Sequence, residues 1–382
     1  MKRIVLFLLM GVCCSFAMAQ YSLVESRELD IMIDHPIRYA ATGWRWNVDV
    51  TTFLRDAEFS LPYTRGYTAT GFFLQPTVGR RIGSQAAVTL GLHLAGVAGY
   101  DGIHSWQPLV RLELRPVEHL SLVMGSIYGA LGHGLYEPML DRERYIYDHQ
   151  EEGVQLRWKL GQGRVNWMND TWLHWEELLE PWHANQERFT MGSSNMLNFC
   201  SADDDSALKL SLPFSFLGSH RGGQFTSLDT CIQSLFNESV GLRLEWMMMQ
   251  SRWTVDVPWF FYQDISPRKW MAFDNGWGFW PQLSYRRGLH FSDTTQGGQV
   301  LASVGFWRGH QYIAPRGSYL FQSISWHKPS FSAPEREMIT AKVGFERTYV
   351  ENIQLGLDGE FYYDLVEKSL DLVFGLYLRY RF

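Results

Sequence analysis

The chain has 382 residues, with 34 lysines and arginines against 40 aspartates and glutamates; the resulting net charge of −6 argues against a nucleic-acid partner. Hydrophobic residues make up 46% and aromatic residues 15%, yet no stretch after the first residues offers the 18 or so consecutive apolar positions of a membrane-spanning helix. That aromatic load must therefore be used by something other than helices in lipid.

At the start of the chain, Lys2 and Arg3 precede the apolar run Ile4 to Phe16 and the small-residue site Ala17-Met18-Ala19. This pattern reads as a secretory signal peptide over residues 1–19, followed by one domain over residues 20–382. Val12 stands where a lipoprotein signal before Cys13 would want a small residue, so lipidation is not expected. Removal of Lys2 and Arg3 leaves 32 basic against 40 acidic residues, a net charge of −8.

Further along, residues of alternating character recur. Val88, Leu90, Leu92 and Leu94 alternate with polar or small residues, as do Val110, Leu112 and Leu114, and Val154, Leu156, Trp158 and Leu160. The same holds for the even positions from Leu208 to Phe216 and from Val240 to Trp246, and for Trp253 to Trp259 and Ile353 to Leu357. Strict period-2 alternation marks strands with one oily and one wet face. Residues 81–85, 115–119, 161–163 and 350–352 read as tight turns, whereas residues 129–151, 172–184, 217–236 and 264–276 read as longer, polar and aromatic loops. His133, Glu137, Asp141 and Arg142 crowd the first of these loops, and Asp203-Asp204-Asp205 is expected to be a solvated turn rather than a calcium site. His220-Arg221-Gly222-Gly223-Gln224 lacks the ending of a phosphate loop and reads as a plain turn. Cys200 and Cys231 flank the strand at 207–216, which places their loops at its opposite ends, on opposite sides of a membrane that it spans, and predicts that they do not pair.

The segment Trp307 to Gly317 combines Trp307, Arg308, His310, Tyr312 and Arg316 with glycines and Pro315. It reads as a loop, and one use for it is to bind a sugar or an anion through stacked rings and bidentate guanidinium groups. Most of the tryptophans, Trp44, Trp46, Trp106, Trp172, Trp175, Trp182, Trp270, Trp277, Trp280, Trp307 and Trp326, fall near strand ends, where an interfacial girdle would want them.

The final strand carries Leu370, Leu372, Phe374, Leu376, Leu378, Tyr380 and Phe382 on one parity. Asp371, Val373, Gly375, Tyr377, Arg379 and Arg381 occupy the other. With the oily parity facing lipid, the wet parity of all strands lines an interior: Arg111, Glu113, Arg157, Lys159, Arg243, Glu245, Lys342, Glu346, Asp358, Glu360, Arg379 and Arg381. Backbone groups in hydrocarbon must all be paired, so such strands close on themselves. Counting along the chain gives 17 strands, whereas an even number is needed to leave both ends on one side, so 16 to 18 are expected. Residues 21–34 are the candidate for a missed strand and residues 185–194 for a false one.

With its signal peptide, amphipathic strands and C-terminal Phe382 as assembly signal, the chain resembles Gram-negative outer-membrane β-barrels, and bacterial porins and transporters in particular. The resemblance implies an all-β, antiparallel up-and-down transmembrane barrel in the outer membrane. Its partners would be the lipid bilayer, lipopolysaccharide and the outer-membrane assembly machinery. The implied role is passage of small polar solutes through a water-filled lumen whose charges set selectivity. Three other roles stay open: a pore-less barrel binding extracellular or capsular polysaccharide, a lipid hydrolase, and a structural part of an envelope machine. The chain has no G-x-S-x-G and no H-E-x-x-H, and no Ser and His whose spacing sets them side by side. No catalytic residue, metal or cofactor is therefore expected, and no enzymatic activity.

Overall fold

The computed structural model describes residues 29, 32–33, 43–100, 102–147, 150–161, 165–178, 186–200, 208–222, 232–289, 297–350 and 352–382. Residues 1–19, expected to be a signal peptide, together with Trp182, Asp203-Asp204-Asp205 and Cys231, lie outside them; Cys200 ends a strand. The first strands are β1 (Trp44–Glu58), β2 (Tyr67–Ile82), β3 (Ala86–Val97), β4 (Ser105–Val117), β5 (Leu120–Ser126) and β6 (Glu152–Leu160). Next come β7 (Val165–Glu177), β8 (Arg188–Cys200), β9 (Leu208–Arg221), β10 (Gln233–Met248) and β11 (Ser251–Asp264). The last are β12 (Asn275–Phe279), β13 (Gln282–Leu289), β14 (Gly298–His310), β15 (Glu335–Val350), β16 (Ile353–Asp364) and β17 (Ser369–Arg381).

Successive strands pair antiparallel, and β17 returns to β1 with Leu376 opposite Leu54, which closes the barrel. β12 and β13 both lie between β11 and β14: Trp277 faces Phe261 and His310, while Tyr285 faces Trp253 and Ala302. They are two halves of one stave, broken at Trp280-Pro281, where proline has no N–H for the ladder. The 17 strand segments therefore make 16 staves. The odd count has its physical cause here, and residues 185–194 hold a true strand start, since β8 begins at Arg188. The described residues of 21–34, namely Leu29, Met32 and Ile33, are not in a strand but lie buried in the interior.

The burial pattern of β17 is inverted relative to a water-soluble sheet. Leu370, Phe374, Leu378 and Phe382 are exposed, while Asp371, Tyr377 and Arg379 are buried. The oily parity faces out around the whole wall. Residues 83–85, 118–119, 249–250 and 352 form short turns at one rim, shared with both ends of the barrel. The long connections 127–151, 265–274 and 311–334 rise from the opposite rim.

Two of those connections fold inward. Ile127, Tyr128, Tyr136 and Met139 meet Tyr312, Ile313 and Phe321 in one buried cluster with Trp172, Phe260, Trp280, Trp307 and Tyr362 from the wall. Main-chain bonds join them: Asp141 N–H donates to Arg316 O at 2.7 Å and Ser318 N–H to Glu137 O at 3.0 Å. Leu29 and Met32 pack with Phe53, Phe73 and Tyr145 in a second cluster. The lumen expected to hold water is thus occupied by a packed plug. Trp172, Trp280 and Trp307 belong to that plug core and not to the girdle, whereas Trp44, Trp46, Trp106 and Trp270 are exposed on the outside.

Candidate functional site

The charges assigned to the lumen do face inward, but they are locked together. Arg55, absent from the expected set, is 2% exposed and reaches Asp358 at 2.8 Å, Glu360 at 2.6 Å and Glu143 of the plug at 2.7 Å. Lys342 pairs with Glu360 at 2.9 Å and with Glu137 of the plug, and Arg142 approaches Glu360 at 3.4 Å. Arg243 holds Asp256 at 2.8 Å beside Glu245, and Arg379 and Arg381 both hold Asp49. Arg111 stacks 3.8 Å over Tyr128 of the plug and donates to the carbonyls of Ser126 and Ile127. Arg157 flanks the same ring, and Glu113 accepts from Ser121 and Tyr128. Glu346 accepts from Gln299, and Lys159 stands half-buried near the short-turn rim. The contacts to Tyr128, Glu137, Arg142 and Glu143 fasten wall to plug, and those to Asp49 and Asp256 tie neighbouring strands, as buried ions must be partnered.

His133 belongs to the same fastening. It is fully buried, stacked on Trp172 at 3.6 Å, with Glu151 at 3.0 Å from Nε2 and Asp170 at 3.2 Å from Nδ1. Burial alone would lower its pKa, but the Glu151 and Asp170 carboxylates outweigh that and push it up to about 9. A protonated imidazole with both nitrogens engaged and no contact with solvent is a pin, not a base.

The segment 307–317 does not form one binding loop. Residues 307–310 finish β14, and side chains from the segment diverge. Trp307 and Tyr312 are fully buried in the plug core, with no ring face left for a sugar. Arg308 and His310 point outward to Glu337 and Glu335, and Arg316 reaches Glu176 and Thr190 at the rim.

A different constellation sits on the outer wall at the long-loop rim. On β9 the even positions face out (Leu208 and Leu210 are exposed, Ser211 and Ser215 buried), and His220 continues that parity. On β10, Val240 and Leu242 face out while Leu235 and Asn237 are buried, so Ser234 also faces out. Antiparallel register sets Ser234 directly opposite His220, and Ser234 Oγ lies 2.9 Å from His220 Nδ1. His220 Nε2 is 2.9 Å from the carbonyl oxygen of Gly222. A carbonyl can only accept, so Nε2 carries the hydrogen and Nδ1 is left to accept the Ser234 hydroxyl proton. Gly222 has φ +124, a left-handed conformation that turns its carbonyl back to the ring, and a Cβ there would come 2.9 Å from Ile232 Cα. Phe189 lies 4.9 Å from the imidazole and is itself stacked on Trp175, giving the pair an aromatic shoulder.

This arrangement overturns the expectation that no Ser and His stand side by side. A hydroxyl bonded to an imidazole whose other nitrogen is fixed is the layout of an activated nucleophile. The signal was out of linear reach, because the connection between the two strands spans eleven residues, 222–232, and leaves the register of β9 on β10 open.

A closed, 16-stave, antiparallel barrel with an apolar outer face is a β-barrel of the outer-membrane type. Solved structures similar to it include OprB of Pseudomonas putida (TM-score 0.53, 8% identity, covering 89% of this chain and 94% of that one). Another is a loop-deletion form of OmpT, an outer-membrane protein of Vibrio cholerae (TM-score 0.52, 9% identity, 90% and 100% covered). OmpF of Salmonella typhi, in complex with daunomycin, aligns with TM-score 0.50 at 10% identity over 89% and 97%. At such identities the likeness is one of fold alone. No curated protein sequence matches. The chain belongs to the Lipid A 3'-O-deacylase-type family, which matches residues 38–382. That is a family of enzymes, so the expectation of a barrel without enzymatic activity is corrected.

Proposed function

We propose that the protein is an outer-membrane esterase that removes an ester-linked acyl chain from lipid A, with Ser234 as nucleophile and His220 as general base. The observation that carries the residue assignment is the hydrogen bond between Ser234 Oγ and His220 Nδ1 on the outward face of the wall. Family membership supports the substrate class. Position supports it too. Twelve residues separate Leu208 from His220 on β9. At ~3.3 Å per residue and a tilt near 40°, His220 stands roughly 30 Å above Leu208, just past an apolar band about 25 Å tall. An acyl ester lies at that boundary, between buried chains and wet headgroup.

In the proposed reaction the Ser234 oxygen adds to the ester carbonyl while its proton passes to His220 Nδ1. The tetrahedral intermediate collapses, the C–O bond to the sugar oxygen breaks, and the imidazolium returns the proton to that leaving oxygen. Water, deprotonated by the same nitrogen, then hydrolyses the acyl-serine and frees the fatty acid. The Gly222 carbonyl supports the transient positive charge on the ring. The plugged lumen supports this surface reading over solute passage. The leader at 1–19, Phe382 as assembly signal and lipopolysaccharide as partner remain part of the proposal.

The test is mass spectrometry of lipid A incubated with the purified, detergent-solubilised barrel. Loss of one acyl chain is expected with the wild type, and a fall of about 10²–10⁴-fold in rate for His220→Ala. Unchanged lipid A, or Ser234→Ala turning over at the wild-type rate, would overturn the assignment.

A further inference from the structure

Acyl transfer needs a donor for the oxygen that becomes negative as the nucleophile adds. The obvious group, the main-chain N–H of Ser234, is already taken: it donates to Ser266 Oγ at 2.9 Å. Ser266 lies in the connection after β11 and is held in place by its own N–H, which donates to Asp264 Oδ1 at 2.8 Å. The next main-chain group helps fix the pair, since Ile265 N–H donates to Ser234 O at 3.0 Å. Among the described residues, the Ser266 hydroxyl hydrogen has by contrast only a 3.5 Å contact with Ser234 O, at the limit of a hydrogen bond. Ser266 is buried, so this hydrogen is not spent on bulk water.

We propose that Ser266 is a further catalytic residue, the donor that stabilises the oxyanion formed when Ser234 adds to an ester carbonyl; this rests on Ser234 being the nucleophile. Receiving the Ser234 N–H polarises the Ser266 hydroxyl and makes it a stronger donor, as chained hydrogen bonds do. The Ser266 O–H turns from its long contact toward the new negative oxygen and returns when the intermediate collapses. No proton is transferred from it. The main-chain dipole of Ser234 thus acts on the oxyanion at one remove.

The experiment compares Ser266→Ala and Ser266→Thr with the wild type in hydrolysis of a lipid ester. Binding of an alkylboronic acid, which forms an anionic tetrahedral adduct with Ser234, is measured beside binding of a non-hydrolysable ether lipid. Ser266→Ala is expected to lower kcat about 10²–10³-fold with KM nearly unchanged. Boronate affinity should fall by a similar factor, ether-lipid affinity should stay the same, and Ser266→Thr should restore most of the rate. Wild-type kcat in Ser266→Ala, or a lower kcat with undiminished boronate affinity, overturns the inference. Ser234→Ala separates the two levels: if it is inactive while Ser266→Ala is unimpaired, only the role of Ser266 falls, and if it is active the parent reading falls.

Discussion

Gly222 matters because of its carbonyl. Its φ of +124 aims the oxygen at His220 Nε2, and the neighbouring Ile232 leaves no room for a methyl group. Gly222→Ala should therefore swing the imidazole away from Ser234 while the barrel still folds. A displacement on that scale costs about 10²-fold in rate, read as kcat for lipid A hydrolysis beside the heat-dependent gel mobility of the folded barrel. His133 makes the opposite kind of prediction. Its pKa is raised from 6.5 to about 9, so the protonated form is the one favoured by folding. The contribution is complete below pH 6.5 and fades as pH climbs through about 9. Chemical unfolding between pH 6 and pH 10 should show the wild type losing stability over the upper part of that window. His133→Gln, which cannot titrate, should give a flatter profile.

At the scale of elements, legibility tracked periodicity. The alternation at 370–382 predicted both the strand and its orientation, because lipid on one side leaves only one parity for polar groups. The inward charges were equally legible, for Arg243, Lys342, Asp358, Glu360 and Arg379 all lie on the wet parity where they were expected. Their partners were not, since Glu137, Arg142 and Glu143 come from a connection without any repeat that could be projected onto the wall. The pair Ser234 and His220 was hidden for the same reason, as long-range register leaves no linear trace. On the wall, Arg55 of β1 is the cation shared by Glu143 of the plug and by Asp358 and Glu360 of β16. Arg55→Ala would take that cation from Asp358 and Glu143, while Glu360 keeps Lys342 and Arg142, at a cost of about 3–5 kcal/mol when one partner of a buried pair is removed. The strain falls on the contact between plug and wall, so faster hydrogen exchange in residues 127–151 is expected, with the strands β15 to β17 still protected. Unchanged exchange in the plug would show that Arg55 does not anchor it.

For the molecule as a whole, the wall separates two environments with different jobs. Inside, aromatic packing and ion pairs join the plug to the wall; outside, Ser234 and His220 stand on the outward parity of the long-loop rim. If catalysis belongs to the outer surface and the plug serves only to hold the barrel closed, the two should fail independently. The wild type in a planar bilayer is expected to pass no steady current. Arg55→Ala should admit intermittent conductance as the plug loosens, while its lipid A hydrolysis in detergent stays within about twofold of wild type, because distant sites act additively. Ser234→Ala should do the reverse, remaining silent in the bilayer and losing hydrolysis. The two measurements on the two variants form a square, and its informative corner is Arg55→Ala in the hydrolysis assay. A large loss there would mean that the active geometry depends on the plug, and that the substrate is read from the lumen side as well as from the lipid.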